Sequence, residues 1–203
     1  MLIPSPLELI NYPLFTEKQI NVYVKRDDLI DAEISGNKWR KLKYNLIEAK
    51  AQKRNTILTF GGAYSNHISA TSAVGKIFGL KTIGVIRGEE TLPLNPTLLQ
   101  AEKDGMRFLY VSRTDYRKKN TPEFINKLKE KLGDFYLIPE GGGNKLGVKG
   151  CNDIVNEIDM NFNYILTDCG TGATLAGICE ALKGNQKAIG IPILKGGEFI
   201  KNE

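Results

Sequence analysis

The sequence predicts an α/β protein built on mostly parallel sheets, and three observations carry that reading. Short runs rich in β-branched and aromatic residues recur along the chain, segments with helical spacing lie between most of them, and the junctions after several runs are rich in glycine and polar residues. Strands alternating with helices are the pattern of βα units, whose crossovers make a sheet parallel. Ligands of such sheets bind beyond the carboxyl ends of the strands, so those junctions are where a site is expected.

The first run is NVYVKRDD (21–28), followed by the polar corner of EISGNKWRKLKY (33–44). Trp39, Leu42, Leu46 and Ala49 then fall at i, i+3, i+7 and i+10, so Lys38 opens a helix whose apolar stripe can lie on a sheet. TILTFGG (56–62) is the next strand; Ser65-Asn66-His67 begins a helix in which Ser69, Ala70, Ser72 and Ala73 permit close packing. KTIGVIRG (81–88) and RFLYVS (107–112) follow as strands. Phe124, Leu128 and Leu132 repeat at i, i+4 and i+8, with Gly133 as the stop of their helix. FYLIPEGG (135–142), NYILTDCG (163–170) and KAIGIPIL (187–194) complete the strands, and TLAGICEAL follows the second of these as an apolar helix. No internal repeat beyond this rhythm and no low-complexity linker is present, so composition alone marks no domain boundary.

Composition narrows the function classes. A chain of 203 residues can bury a core without staples. With 41% hydrophobic and 25% charged residues it is neither disordered nor fibrous. The net charge of +5 is spread among 23 acidic residues, which gives a mild basic bias and no stripe for nucleic acid. Cys151, Cys169 and Cys179 form no C-x-x-C, and His67 is the only histidine, so no metal site is expected. The three thiols are read as buried and structural, and as fitting a reducing, cytoplasmic compartment. The N-terminal MLIPSPLELINYPLF lacks a basic leader and carries three prolines, and no apolar run approaches membrane-spanning length. No membrane partner is expected.

Three stretches carry chemistry. In DCGTGATLAG (168–177), glycines at a strand-to-helix turn let N–H groups converge where the helix dipole is positive, which suits a single phosphate group. It is not a Walker loop, and Leu175 breaks the dinucleotide fingerprint; the bland alternative is a tight turn that holds nothing. In FGGAYSNHISA (60–70), Ser65 or Asn66 is either a plain helix cap or part of a donor cluster for a carboxylate or a ring oxygen. His67 is equally compatible with a packing role. In the opening stretch, a lysine fixed behind a tight turn can form an imine with an aldehyde if its pKa falls from about 10.4. Lys41, one turn beyond Lys38, is placed to depress that pKa or to meet an anion. Otherwise the run Lys38, Arg40, Lys41, Lys43 is a solvated basic face.

SGNKWRKLKYN, GGAYSNH and GTGATLAGI, with PEGGGNKLGVKG between the last two, resemble the pyridoxal-phosphate enzymes of the tryptophan-synthase-β type. Within these they are most similar to the 1-aminocyclopropane-1-carboxylate deaminase and D-cysteine desulfhydrase branch, from about Pro4 to the end of the chain. The resemblance implies a three-layer αβα fold (fold type II) with two domains: a small domain over 42–140 inserted into a larger one made from 1–41 and 141–203. It implies pyridoxal 5'-phosphate as cofactor, held covalently by Lys38, which then acts as a base on the substrate. It implies that Asn66 bonds the cofactor ring oxygen, that Lys41 with Gly170, Thr171, Gly172, Ala173 and Thr174 anchors the phosphate, and that Ser65, Asn66 and His67 grip the substrate carboxylate, Ser65 also assisting proton transfer. The implied reaction is a deaminase, hydrolase or lyase reaction on a small amino acid that releases ammonia and a 2-oxo acid, in a homodimer. Family chains run further than Glu203 and place there a catalytic tyrosine and the segment beside the pyridine nitrogen. On that comparison the chain is expected to be truncated, and the alternative to an enzyme is a remnant that binds cofactor or a partner without turnover.

Overall fold

The computed structural model describes residues 1–34 and 36–193. Ser35 of the S-G-N-K corner and the end of the last predicted strand, Leu194, lie outside the described residues. In chain order the elements are β1 (Leu7–Leu9), α1 (Pro13–Glu17), β2 (Tyr23–Lys25), α2 (Asn37–Ala51), β3 (Thr56–Gly61), α3 (Asn66–Phe78), β4 (Lys81–Arg87) and α4 (Pro96–Lys103). They continue as β5 (Arg107–Val111), α5 (Arg113–Tyr116), α6 (Pro122–Leu132), β6 (Tyr136–Ile138), α7 (Lys145–Asn156), β7 (Tyr164–Cys169), α8 (Ala173–Ala181) and β8 (Lys187–Pro192).

The main sheet has the order β5-β4-β3-β6 and is parallel throughout, with Ile57↔Tyr136 and Leu58↔Ile83 among the paired positions. Its central strand is buried on both sides, which is why TILTF reads as a continuous apolar run rather than an alternation. Ile57 joins Ile34, Leu42, Ala49, Ala70, Ala73, Val74, Tyr136 and Ile138 under α2 and α3. Leu58 and Phe60 point the other way, to Leu128, Phe135 and Tyr116 beneath α5 and α6. Helices on both faces of a parallel sheet make the three-layer αβα arrangement, the fold of type II pyridoxal-phosphate enzymes that the sequence resembles.

A second parallel pair, β7-β8, is linked by α8 and backs onto α7 through Cys151, Ile154, Val155, Ile178 and Ala181. Three helices, α2, α7 and α8, pack closely because glycines remove side chains where backbones meet. A Cβ on Gly150 would collide with the Arg40 carbonyl, and one on Gly177 with the Val148 carbonyl. Helix α7 was not foreseen from the sequence, since Gly147 and Gly150 interrupt its apolar pattern; those glycines are the contact face. The first predicted strand, 21–28, shortens to β2 and pairs antiparallel with β1. It ends early because Asp27 enters a one-turn helix, Asp27–Leu29, and turns its carboxylate to Arg40. Among the thiols, Cys151 and Cys169 are buried as expected, whereas Cys179 is exposed, on the outer face of α8.

Candidate active site

Both helices that carry the site's charge and dipole begin at a glycine that no other residue replaces easily. Gly36, before α2, has φ 66° and ψ −150°, a region open in practice to glycine alone. Gly172, before α8, has φ 76°. Neither helix start has a side-chain cap, so their first N–H groups remain available to a ligand. The α8 turn is open at Gly170, where a Cβ would meet nothing within 4 Å.

One side chain ties the two starts together. The Asn37 amide nitrogen donates to Thr174 Oγ1 at 2.9 Å, while its oxygen accepts from Lys38 Nζ. A protonated Lys38 can only donate, which fixes the orientation of the Asn37 amide in that state. The Lys38 amine is thereby held beside the 170–174 turn. Asn37 was passed over in the sequence as a corner residue, and no pattern there distinguishes it from a turn asparagine.

The turn after β6 closes the arrangement. Gly141 and Gly142 both have positive φ. A Cβ on Gly141 would lie 2.8 Å from Thr171 Cγ2, and one on Gly142 would lie 2.9 Å from Lys41 Cβ and 3.5 Å from His67 Cε1. The phosphate-type turn, the second lysine and the histidine therefore meet across two glycines. Among the described residues the buried Thr171 Oγ1 has no hydrogen-bond partner, so the turn holds an unused hydroxyl.

Electrostatics follow from burial. Lys38, partly buried, has its pKa lowered by loss of solvent, opposed by the charge of Asp168. Lys41, with 4% of its surface exposed, is brought down to about 8, first by burial and then by the nearby Lys38. The sequence suggested that Lys41 depresses the Lys38 pKa or meets an anion; the two amines oppose each other's charge, and for both of them loss of solvent comes first. Ser65 caps α3, accepting from the backbone N–H of His67 at 3.2 Å and of Ile68 at 3.4 Å. Asn66 stands exposed in the first turn. His67 turns into the core, its Nε2 2.9 Å from Thr59 Oγ1, and burial followed by Lys38 and Lys41 pushes its pKa down to about 3. A neutral, buried imidazole supplies no positive charge to a carboxylate, so of the three S-N-H residues only Ser65 and Asn66, with the helix start, lie toward solvent.

Beneath the site, Arg40 binds two carboxylates that sequence reading overlooked. It donates to both oxygens of Asp27 and both of Glu157, each at 2.8 Å, and Lys25 reaches Glu157 at 2.8 Å. Burial raises the Glu157 pKa, but the hydrogen bonds from Arg40 and Lys25 outweigh it and bring it to about 2. Among the described residues no cluster of three metal-ligating side chains occurs, and no helix is long and apolar enough to cross a membrane.

These residues fit a phosphate-bearing aldehyde. The fit rests on the unpaired Thr171 hydroxyl, the uncapped α8 start and the amine of Lys38 held within one side chain of it.

Comparison with known proteins gives the same direction. The model of the family described as pyridoxal-phosphate dependent enzyme matches residues 2–195. A Thermotoga maritima protein provisionally named 1-aminocyclopropane-1-carboxylate deaminase is 38% identical over 186 residues, covering 88% of this chain and 59% of the relative. The mitochondrial bifunctional D-cysteine desulfhydrase/1-aminocyclopropane-1-carboxylate deaminase of Arabidopsis thaliana is 33% identical over 194 residues, covering 87% and 48%. The solved structure of an ACC deaminase homologue superposes with a TM-score of 0.83 at 30% identity, over 100% of this chain and 65% of that one. A pyridoxal 5'-phosphate-dependent aspartate racemase shares the fold at TM-score 0.70 and 17% identity. The chain thus spans about half to three fifths of the length of these curated relatives.

Proposed function

We propose, from the premise that the chain belongs to the pyridoxal-phosphate-dependent enzyme family, that it binds this cofactor through Lys38 and deaminates a small amino acid, either 1-aminocyclopropane-1-carboxylate or D-cysteine. The observation that carries the reading is the Asn37 side chain, which joins the Lys38 amine to the start of α8. When bound, pyridoxal phosphate supplies an aldehyde that condenses with amines and a conjugated ring that takes up the electron pair left when a bond at the substrate α-carbon breaks.

The chain's own residues do the rest. Loss of solvent favours the neutral, nucleophilic form of Lys38, and Asn37 Oδ1 aims its Nζ. Lys41, the Thr171 hydroxyl and the backbone of Gly170, Thr171, Gly172, Ala173 and Thr174 receive the phosphate, with the α8 dipole in support. Asn66 bonds the ring oxygen. Ser65 and the N-terminal amides of α3 hold the substrate carboxylate. The Lys38 amine would move the proton on and off the substrate carbon, with Ser65 assisting. With one water consumed in each case, D-cysteine would give sulfide, pyruvate and ammonia, and the cyclopropane acid a 2-oxo acid and ammonia. We further assign a small domain over 42–140 and a larger one over 1–41 and 141–203, pairing as a homodimer in the cytoplasm.

The test is an absorption titration with pyridoxal phosphate followed by product assay from both substrates. Wild type should turn yellow and release a 2-oxo acid, while Lys38→Ala should lose the chromophore. Colour without product would make the chain a cofactor binder rather than a deaminase. Colour retained by Lys38→Ala would remove the assignment of that lysine.

A further inference from the structure

Thr59 lies fully buried in the middle of β3, and its hydroxyl meets two groups: the Ile138 carbonyl on β6 at 2.8 Å and His67 Nε2 at 2.9 Å. A hydroxyl has one proton to give. The Ile138 carbonyl has none, so the Thr59 proton goes there and Nε2 must bring its own. The reverse assignment would face two oxygens at 2.8 Å with no proton between them. Nδ1 is itself buried and has no hydrogen-bond partner among the described residues.

We propose that Thr59 is a positioning residue that locks the His67 imidazole as the neutral form protonated at Nε2. Nδ1 then carries the bare lone pair, enclosed in the core rather than open to a ligand. The ring lies next to the second lysine, since its Cε1 and the Lys41 stem pack against the same face of Gly142. The charged groups whose fields reach the ring are Lys38 and Lys41, and both oppose a third positive charge. Neutrality matters to the site's selectivity. A cationic His67 would draw the substrate carboxylate inward to the two lysines, whereas the neutral acceptor leaves it at Ser65 and the α3 start. That last consequence rests on the function proposed above; the tautomer itself does not.

His67 is the chain's only histidine, so selective 15N-histidine labelling gives one ring to read. In the protein without ligand, the two-bond proton–nitrogen spectrum is expected to show a protonated Nε2 and a bare Nδ1, unchanged from pH 8 to pH 5. A protonated Nδ1, or a doubly protonated ring in that range, would overturn the proposal whether or not any cofactor binds. Thr59→Val removes the acceptor, and should give mixed tautomers and about tenfold weaker binding of pyridoxal phosphate, while Thr59→Ser stays within about twofold of wild type. A folded valine variant with the wild-type tautomer and affinity would refute the positioning role. If the valine variant does not fold, the wild-type spectrum and the serine variant decide the matter in the same way.

Discussion

At the scale of single residues, Lys41 shows how burial converts an ordinary surface cation into a tuned one. Its pKa of about 8 in the free protein rises when an anion sits against it, so anion binding favours the protonated form. Binding is therefore strongest below pH 8 and weakens as pH climbs through that value. Sulfate, whose own charge is constant in this range, should bind about tenfold more weakly at pH 9.5 than at pH 7, and Lys41→Met should flatten the dependence; calorimetric titration reads both. Lys38 and the 170–174 turn stood out in the sequence as candidates through their motifs, since spacing alone equally allows a solvated basic face and a turn that holds nothing. Asn37, Thr59 and Arg40 were not legible. What they do depends on partners that are distant in sequence, such as Thr174 for Asn37 and Glu157 for Arg40, and no local spacing encodes those.

At the scale of elements, α7 is where pattern reading and packing part company. Periodicity finds helices by their apolar side chains, yet α7 meets α2 through the absence of one at Gly150. Gly150→Ala would normally gain helix propensity of up to about 1 kcal/mol. Here the added methyl meets the Arg40 backbone and pushes α2 away from α7, so we expect a net loss of about 2 kcal/mol in urea unfolding. Because Lys38 and Lys41 ride on α2, cofactor affinity should fall with it. Gly133, open on all sides beyond α6, is the control: its substitution meets only the cost of a positive φ. In the main sheet β3 and β4 were readable as continuous apolar runs because they are buried on both faces, whereas β1, three residues long, was missed and the run over 21–28 was read too long for β2.

For the whole molecule, the Arg40 cluster fastens the first residues of the chain to the end of α7. Ser5, Lys25, Asp27, Arg40 and Glu157 form one hydrogen-bonded group that is almost closed to solvent. Glu157 titrates near 2 in the folded protein against 4.5 in the free side chain, so it contributes stability fully above pH 4.5 and loses it as pH falls toward 2. Wild type should lose stability across that window, and Glu157→Gln should be less stable at pH 7 but less sensitive to acid. Arg40→Met leaves the buried Asp27 without a cation and Glu157 with Lys25 alone, and should cost about 3–5 kcal/mol at neutral pH. The β7-β8 pair meets α8 and α7 on one face; on the other, Tyr164, Leu166, Ile189 and Ile191 are exposed, so this is the least covered part of the described core. Hydrogen exchange should accordingly protect the four-stranded sheet more strongly than β7-β8.

The account stands on the Lys38 amine and the 170–174 turn bracketing one molecule. Peptide mapping after borohydride reduction tests this when the protein is loaded in parallel with pyridoxal phosphate and with pyridoxal, which lacks the phosphate. We predict a single labelled lysine, Lys38, and at least about a hundredfold preference for the phosphorylated aldehyde, since Lys41, Thr171 and the α8 start all act on that group. Equal labelling by the two aldehydes, or label scattered over the surface lysines, would contradict it.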